Sequence, residues 1–207
     1  MGSENHIDAA RFPSLAAYVD ALPDGLASYP DCRSKGTLLR SSLDHHDTED
    51  MAKGIGPVLA DILRSPPPAG VWAPAVYNDA LFHAACDLHY PSDEAMLRWC
   101  RDRTDAMANN PLYRAIIRLP TPRMIVSIAS RFHDLFQRGT TLTVIDSSAT
   151  HANARLSFPP HLHSRLNALS NVAMFEVLLE QVNAKRVRVT MTEQSPTHAL
   201  YACRWRV

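Results

Sequence analysis

The sequence predicts an α+β fold in which a helical N-terminal two-thirds packs on a four-stranded antiparallel sheet built as hairpin, helix, hairpin. Three observations carry this. Up to about residue 138 apolar residues recur at helical spacing between proline and glycine punctuation; "RGTTLTVIDSSATHANARLSF", residues 138 to 158, then alternates; and a second alternating pair closes the chain after a long apolar-striped segment. At 207 residues the chain suits a single domain, 1–207, with a helical part over about 8–138 and the hairpin–helix–hairpin part over about 139–207.

The first helix is marked by Phe12, Leu15, Val19 and Leu22 on one face and is stopped by Pro23 and Gly25. "PDCRSKGTLLRSSL" and "EDMAKGIGPVLADILR" read as short helices, the second weakened by Gly54, Gly56 and Pro57. "SPPPAG" at 65–70 lacks donors and reads as a surface connection. "PAVYNDALFHAACDLHY" and "SDEAMLRWCRDRTDAMA" are each long enough for a central helix, with Pro91 and Ser92 as stop and N-cap.

The clearest helical signal is "TPRMIVSIASRFHDLFQRG". Thr121 caps it, Pro122 suits the first turn, Gly139 suits the exit, and Met124, Ile125, Ile128, Phe132, Leu135 and Phe136 line one face. "TTLTVID" and "ANARLSF" then form a hairpin through "SSATH". A helix from about His161 to Asn183 follows, striped by Leu162, Leu166, Leu169, Val172, Phe175, Leu179 and Val182. "RVRVTMT" and "HALYACRWRV" make the second hairpin about "EQSP", burying Val187, Val189 and Met191 against Tyr201, Cys203, Trp205 and Val207.

Composition excludes several classes. The chain is 46% hydrophobic and 20% charged, with no apolar run near the roughly 18 residues of a membrane span. The opening "MGSENHIDAARFPSL" lacks a secretory pattern, so a cytoplasmic address is expected. Cys32, Cys86, Cys100 and Cys203 are dispersed, as suits reduced thiols. Lys plus Arg and Asp plus Glu are 21 each, a balance that argues against a nucleic-acid partner.

No GxxxxGK[ST], GxGxxG after a strand, GxSxG or HExxH occurs, and the reading leans away from an enzyme. The densest polar cluster is "NDALFHAACDLHY", where Asp79, His83 and Cys86 share one helical face and could approach a metal from one side; His89 is rotated away from His83. Against this stands the reading of His83 and Cys86 as satisfied residues at a core boundary. His45, His46 and Asp47 fall in a charged stretch read as a solvated loop, and His161 and His163 at a helix start are read as capping or packing. Arg33 and Lys35 beside Cys32 would favour a thiolate, but no partner base follows.

On the last hairpin, pairing about Ser195 sets Arg186 opposite Arg204 and gathers Arg186, Arg188, Arg204 and Arg206 on the outward face. Like charges across strands repel, so this face is either a solvated edge or a site for an anion or an acidic partner surface, including a second copy in a homodimer.

The order of helical part, hairpin, long helix and hairpin resembles vinyl-reductase-type domains, the small subunits of the TRAPP tethering complex and haem nitric-oxide sensor domains. "YPDCRSKGTLLRSSL", "NPLYRAI", "FHDLFQRGTTLTVID", "LSFPPHLHS" and "HALYACRW" look more closely like an uncharacterised bacterial paralogous family abundant in myxobacteria. The YxSxR motif of the haem sensors is absent, and Cys203 stands alone where zinc-binding relatives of the vinyl-reductase type cluster cysteines. The resemblance implies a domain that encloses a small hydrophobic ligand or pairs as a dimer; the reading is a non-catalytic regulatory or sensor-like module that binds a small apolar ligand or a protein partner, with Trp72, Tyr77, Phe82 and Trp99, large apolar side chains with few rotamers, as lining or as ordinary core. No cofactor is expected; the alternative is an enzyme or a zinc or haem protein built on the Asp79, His83, Cys86 face.

Overall fold

The computed structural model describes residues 6–110 and 121–206. The motif "NPLYRAI" beyond its first residue, and Val207, lie outside the described residues. The architecture is the expected one, a helical N-terminal part followed by hairpin, helix and hairpin.

Helix α1 (Pro13–Ala21) buries Leu15 and Tyr18. Its N-terminus has no cap of its own; the carboxylate of Asp87 accepts from the backbone N–H groups of Ser14 and Leu15 at 3.0 Å, placing negative charge at the positive end of the helix dipole. Strand β1 (Arg33–Lys35) precedes α2 (Gly36–Leu43), and β2 (Trp72–Pro74) pairs with it antiparallel. Gly36 is required there, because an added Cβ would meet the Pro68 carbonyl oxygen at 2.3 Å. The "SPPPAG" segment thus crosses the start of α2 closely.

Helix α3 (Thr48–Met51) and α4 (Pro57–Arg64) replace the single weakened helix expected over 49–64. Asp47 caps α3 by accepting from Glu49 and Asp50. Helices α5 (Ala75–His89) and α6 (Asp93–Asn109) are the central pair, and every residue of α5 from Asp79 to Cys86 is buried.

The strong helical signal at 121–137 is not one helix. It forms α7 (Pro122–Ser127), capped by Thr121, and α8 (Ala129–Asp134), with a break at Ile128 where φ is −108° and ψ is 4°. Two residues of the expected stripe, Met124 and Leu135, are 42% and 43% exposed, whereas Ile125, Phe132 and Phe136 are buried. The break turns the segment so that only part of the stripe faces inward. Strand β3 (Gln137–Arg138) then completes a small sheet in the order β2-β1-β3, whose strands of two or three residues are too short to show an alternation.

The main sheet runs β4 (Thr141–Ser147), β5 (His151–Ser157), β7 (His198–Arg206) and β6 (Lys185–Gln194), antiparallel throughout and in that spatial order. Between the hairpins lies α9 (Arg165–Gln181), opened by a capping box between Ser164 and Asn167. It is buried at Ala168, Val172, Ala173, Val177, Leu178 and Leu179, a spread wider than one stripe. The helix packs on α6 on one side and β6 on the other, and a helix covered on both sides is apolar nearly all round. Helix α8 packs on β4.

Candidate functional site

Between the inner face of the sheet, α7 and α8, and helices α2, α5, α6 and α9 lies a partly open cavity of about 160 Å³. Its apolar wall includes Phe82, Ile125, Phe132, Phe136, Leu142 and Met174. Among the expected lining residues Phe82 borders it. Trp99 stacks behind Phe82 at 5.3 Å, Trp72 sits on the small sheet under the guanidinium of Arg138 at 4.1 Å, and Tyr77 packs half-buried against the core. Helix α5 turns only one of its aromatic side chains into the space.

The polar end of the cavity is built around Asp79. One carboxylate oxygen accepts from His163 Nδ1 at 2.6 Å, and the other accepts from the side-chain amide of Asn78 at 3.0 Å. Asp79 and His163 are 2% and 5% exposed. Since an ionised carboxylate only accepts, it orients both neighbours. The imidazole is left with Nε2 turned away from Asp79, and the amide with its carbonyl oxygen. Both of these atoms are buried and have no hydrogen-bond partner among the described residues. Phe158 closes edge-on against the His163 ring at 4.9 Å.

His133 of α8 also borders the cavity. Its Nε2 lies 2.9 Å from Thr140 Oγ1, which itself donates to Gln137 Oε1 at 3.1 Å. The hydroxyl's one hydrogen being used, His133 Nε2 carries the proton and Nδ1 the lone pair. Burial, with a smaller contribution from His163, pushes the His133 imidazole down to about 4. Arg103 is the one Lys or Arg on the cavity wall among the described residues. Its guanidinium donates to Ser42 Oγ at 2.5 Å and lies over Trp99 at 5.0 Å.

The three residues expected on one metal-facing side of α5 have separate surroundings. Asp79 meets His163. His83 stacks on Tyr18 at 4.9 Å and uses both ring nitrogens, Nδ1 to Ser14 Oγ at 3.1 Å and Nε2 to Ser164 Oγ at 2.8 Å; burial lowers its pKa. Cys86 packs with Phe82, Met96 and Cys100, and burial raises its thiol far above the ordinary range. Among the described residues no group of three or more His, Cys, Asp or Glu side chains is arranged to hold a metal ion.

Other candidates shift as well. Cys32 does not gain thiolate character from Arg33 and Lys35; burial, Asp31 and Asp79 raise its pKa. His46 is not in a solvated loop: it stacks on His89 at 4.7 Å and reaches the Tyr90 hydroxyl at 3.0 Å. On the last hairpin an irregularity between Lys185 and Arg188 changes the register, and Arg186 takes a positive φ of 49°. Arg188, not Arg186, faces Arg204. Arg186, Arg188, Arg204 and Arg206 are all exposed.

The sequence reads His163 as capping or packing; its partner lies 84 residues away, and nothing local in "PPHLHS" announces it. The one available signal was a lone aspartate in the apolar middle of "NDALFHAAC", where a buried carboxylate needs a partner from elsewhere.

No protein-family model and no curated protein matches the chain. Solved structures do. The Fe(II) unliganded H-NOX protein from K. algicida aligns with a TM-score of 0.58 at 11% identity over 84% of this chain and 97% of that one. An alanine-to-glycine variant of the same protein aligns at 0.61 and 12% over the same shares. An oxygen-binding H-NOX domain related to soluble guanylate cyclases aligns at 0.57 and 7% over 83% and 93%. Of the three groups whose plan the sequence resembles, these belong to the haem sensors. No helix among the described residues is long and apolar enough to cross a membrane. The chain therefore has the fold of H-NOX domains, carried by a sequence of little similarity to theirs.

Proposed function

We propose that this chain is a non-catalytic, sensor-like module that binds a small, mainly apolar ligand in this cavity. The observation that carries the reading is the buried Asp79–His163 pair on the wall of a largely apolar space, with His163 Nε2 lacking a partner among the described residues. A buried polar atom without a partner costs about 1–3 kcal/mol, so an unsatisfied one beside a cavity points to a ligand that completes it. Nearly all the lining comes from helices and the sheet rather than loops, which suits binding with little rearrangement. The likeness in fold to sensor domains agrees with a regulatory role and does not by itself assign one.

The test is binding of Nile red and native mass spectrometry of the purified protein. Wild type should bind the dye and release it to a competing apolar ligand. Ala154→Phe, which fills the cavity from β5, should bind at least tenfold more weakly while keeping its circular dichroism. Equal dye binding by the two proteins would refute the reading.

Haem is the second reading, supported by the fold and by His163, whose Nδ1 is held by a carboxylate as in many metal-binding histidines. A haem held at His163 would supply an iron at which a diatomic gas binds. Its two carboxylates would find only Arg103 on the described wall, so His163 would be the residue to hold the iron and the anionic groups would lack matching cations. Titration with hemin decides this. A Soret shift saturating at one equivalent and lost in His163→Ala would favour haem, and an unchanged spectrum would remove it.

A further inference from the structure

We infer that the outer face of the small sheet β2-β1-β3 is a docking surface for a phosphorylated segment of a protein partner. This face lies apart from the cavity and does not depend on the apolar-ligand reading.

The pairing register builds it. Along β1, Arg33 and Lys35 alternate with Ser34. Ser34 and Ala73, its partner on β2, are both buried, so the arginine and the lysine take the outer face. Arg138 is the partner of Arg33, and Trp72 is the partner of Lys35; residues directly opposite each other share a face. The guanidinium of Arg138 lies over the Trp72 ring at 4.1 Å and the Lys35 ammonium over the same ring at 5.4 Å. Because β2 and β3 flank β1 on opposite sides, Arg138 reaches across the central strand to make this contact.

Three cations thus surround one half-buried tryptophan. Among the described residues none of the three makes a side-chain hydrogen bond or an ion pair, and Asp31 and Asp134, the carboxylates nearest to them in sequence, form no ion pair either. Like charges set opposite each other across strands repel, and an anion relieves that cost. The arginines of the last hairpin differ: Arg204 donates to Asn153, which donates to the Asp146 carboxylate, so an acid is already built in there. A phosphate monoester brings up to about two negative charges and three acceptor oxygens. It matches three cations better than one carboxylate does, and guanidinium forks suit its oxygens. Pro74 is the partner of Arg33 on this face, and Val71, next to Trp72 in the chain, is 48% exposed. A peptide carrying the phosphoryl group covers that apolar surface, whereas a free phosphate does not. Anionic membranes are recognised by clusters of about four to eight Lys or Arg, and nucleic acids by a broader basic footprint. Gln137, the inward residue of β3, borders the cavity, so the docking face is the outer side of a strand whose inner side lines it.

The test is calorimetry and protein NMR on the intact chain with a leucine-flanked phosphoserine peptide, its serine and glutamate versions, and inorganic phosphate. The phosphoserine peptide should bind about tenfold more tightly than the glutamate version or inorganic phosphate, lose affinity as salt rises, and shift the Trp72 indole resonance. Arg33→Gln and Arg138→Gln should each weaken it about tenfold, and Arg186→Gln on the last hairpin should leave it unchanged. If the serine version binds equally, or the phosphoserine peptide does not bind at millimolar concentration, the inference is wrong. If the glutamate version binds as tightly, the face reads carboxylates and the inference falls; if inorganic phosphate does, no partner segment is recognised and it falls as well. Tighter binding to phosphatidylserine vesicles or to a DNA duplex than to the peptide would also overturn it. Should an arginine variant fail to fold, Lys35→Gln and the wild-type peptide series still decide.

Discussion

Asp79→Leu is the sharpest probe of the site. In the native protein the carboxylate satisfies two buried donors, His163 Nδ1–H and the Asn78 amide. Replacing it with leucine leaves both without partners. At about 1–3 kcal/mol for each of the two buried unsatisfied groups, the expected loss is about 2–6 kcal/mol. His163→Phe should cost a similar amount for the converse reason, since it strands a buried carboxylate with the Asn78 amide as its remaining partner. The double variant places two apolar side chains where the pair stood, so it should lose less than the sum of the single changes. A coupling of about 2–3 kcal/mol is expected. Urea unfolding with unchanged m-values measures all three free energies. Single losses below about 1 kcal/mol, or additivity to within about 0.5 kcal/mol, would refute the claim that these side chains form one buried unit.

Acid should weaken the fold through His133. Its folded-state pKa of about 4 lies below the ordinary 6.5, so the unfolded chain binds more protons between these values and stability falls as pH drops through that window; the side chain is half-buried, and about 1–3 kcal/mol is at stake. Urea midpoints over this range should have a shallower slope in His133→Gln, and equal slopes would exclude the effect. Phe132→Ala should cost about 3 kcal/mol, the low end for a buried aromatic, because one side of the ring already borders the cavity. A loss below about 1 kcal/mol in denaturant would mean that α8 is misplaced on β4. Arg188→Glu turns the like-charged pair with Arg204 into an opposite pair and should raise stability by about 0.2–1 kcal/mol, less at high salt. A loss of stability would show that the two side chains do not meet.

The sequence by itself determined the class and order of the longer helices and of the four strands of the main sheet, because those depend on neighbours in the chain. Alternation at 141–147, 151–157 and 198–206 yields strands wherever one face is buried, and the glycine and proline punctuation ends helices locally. Ser92, Thr121 and Ser164 cap helices by accepting from the backbone N–H three residues on, which is also local. What only the tertiary structure decided are the relations between distant segments. The break at Ile128 follows from fitting α7 and α8 to β4 while the chain returns through β3 to β1. The register of Arg188 on Arg204 follows from an irregularity that alternation cannot reveal. The site itself joins α5 to the residue just before the cap of α9, and no periodicity encodes which buried carboxylate a histidine 84 residues later will meet. A helical face supplies Asp79, His83 and Cys86 as neighbours in the sequence's own geometry. Packing from the other elements gives each different neighbours, because a buried polar group is stabilised by whichever partner the fold brings to it.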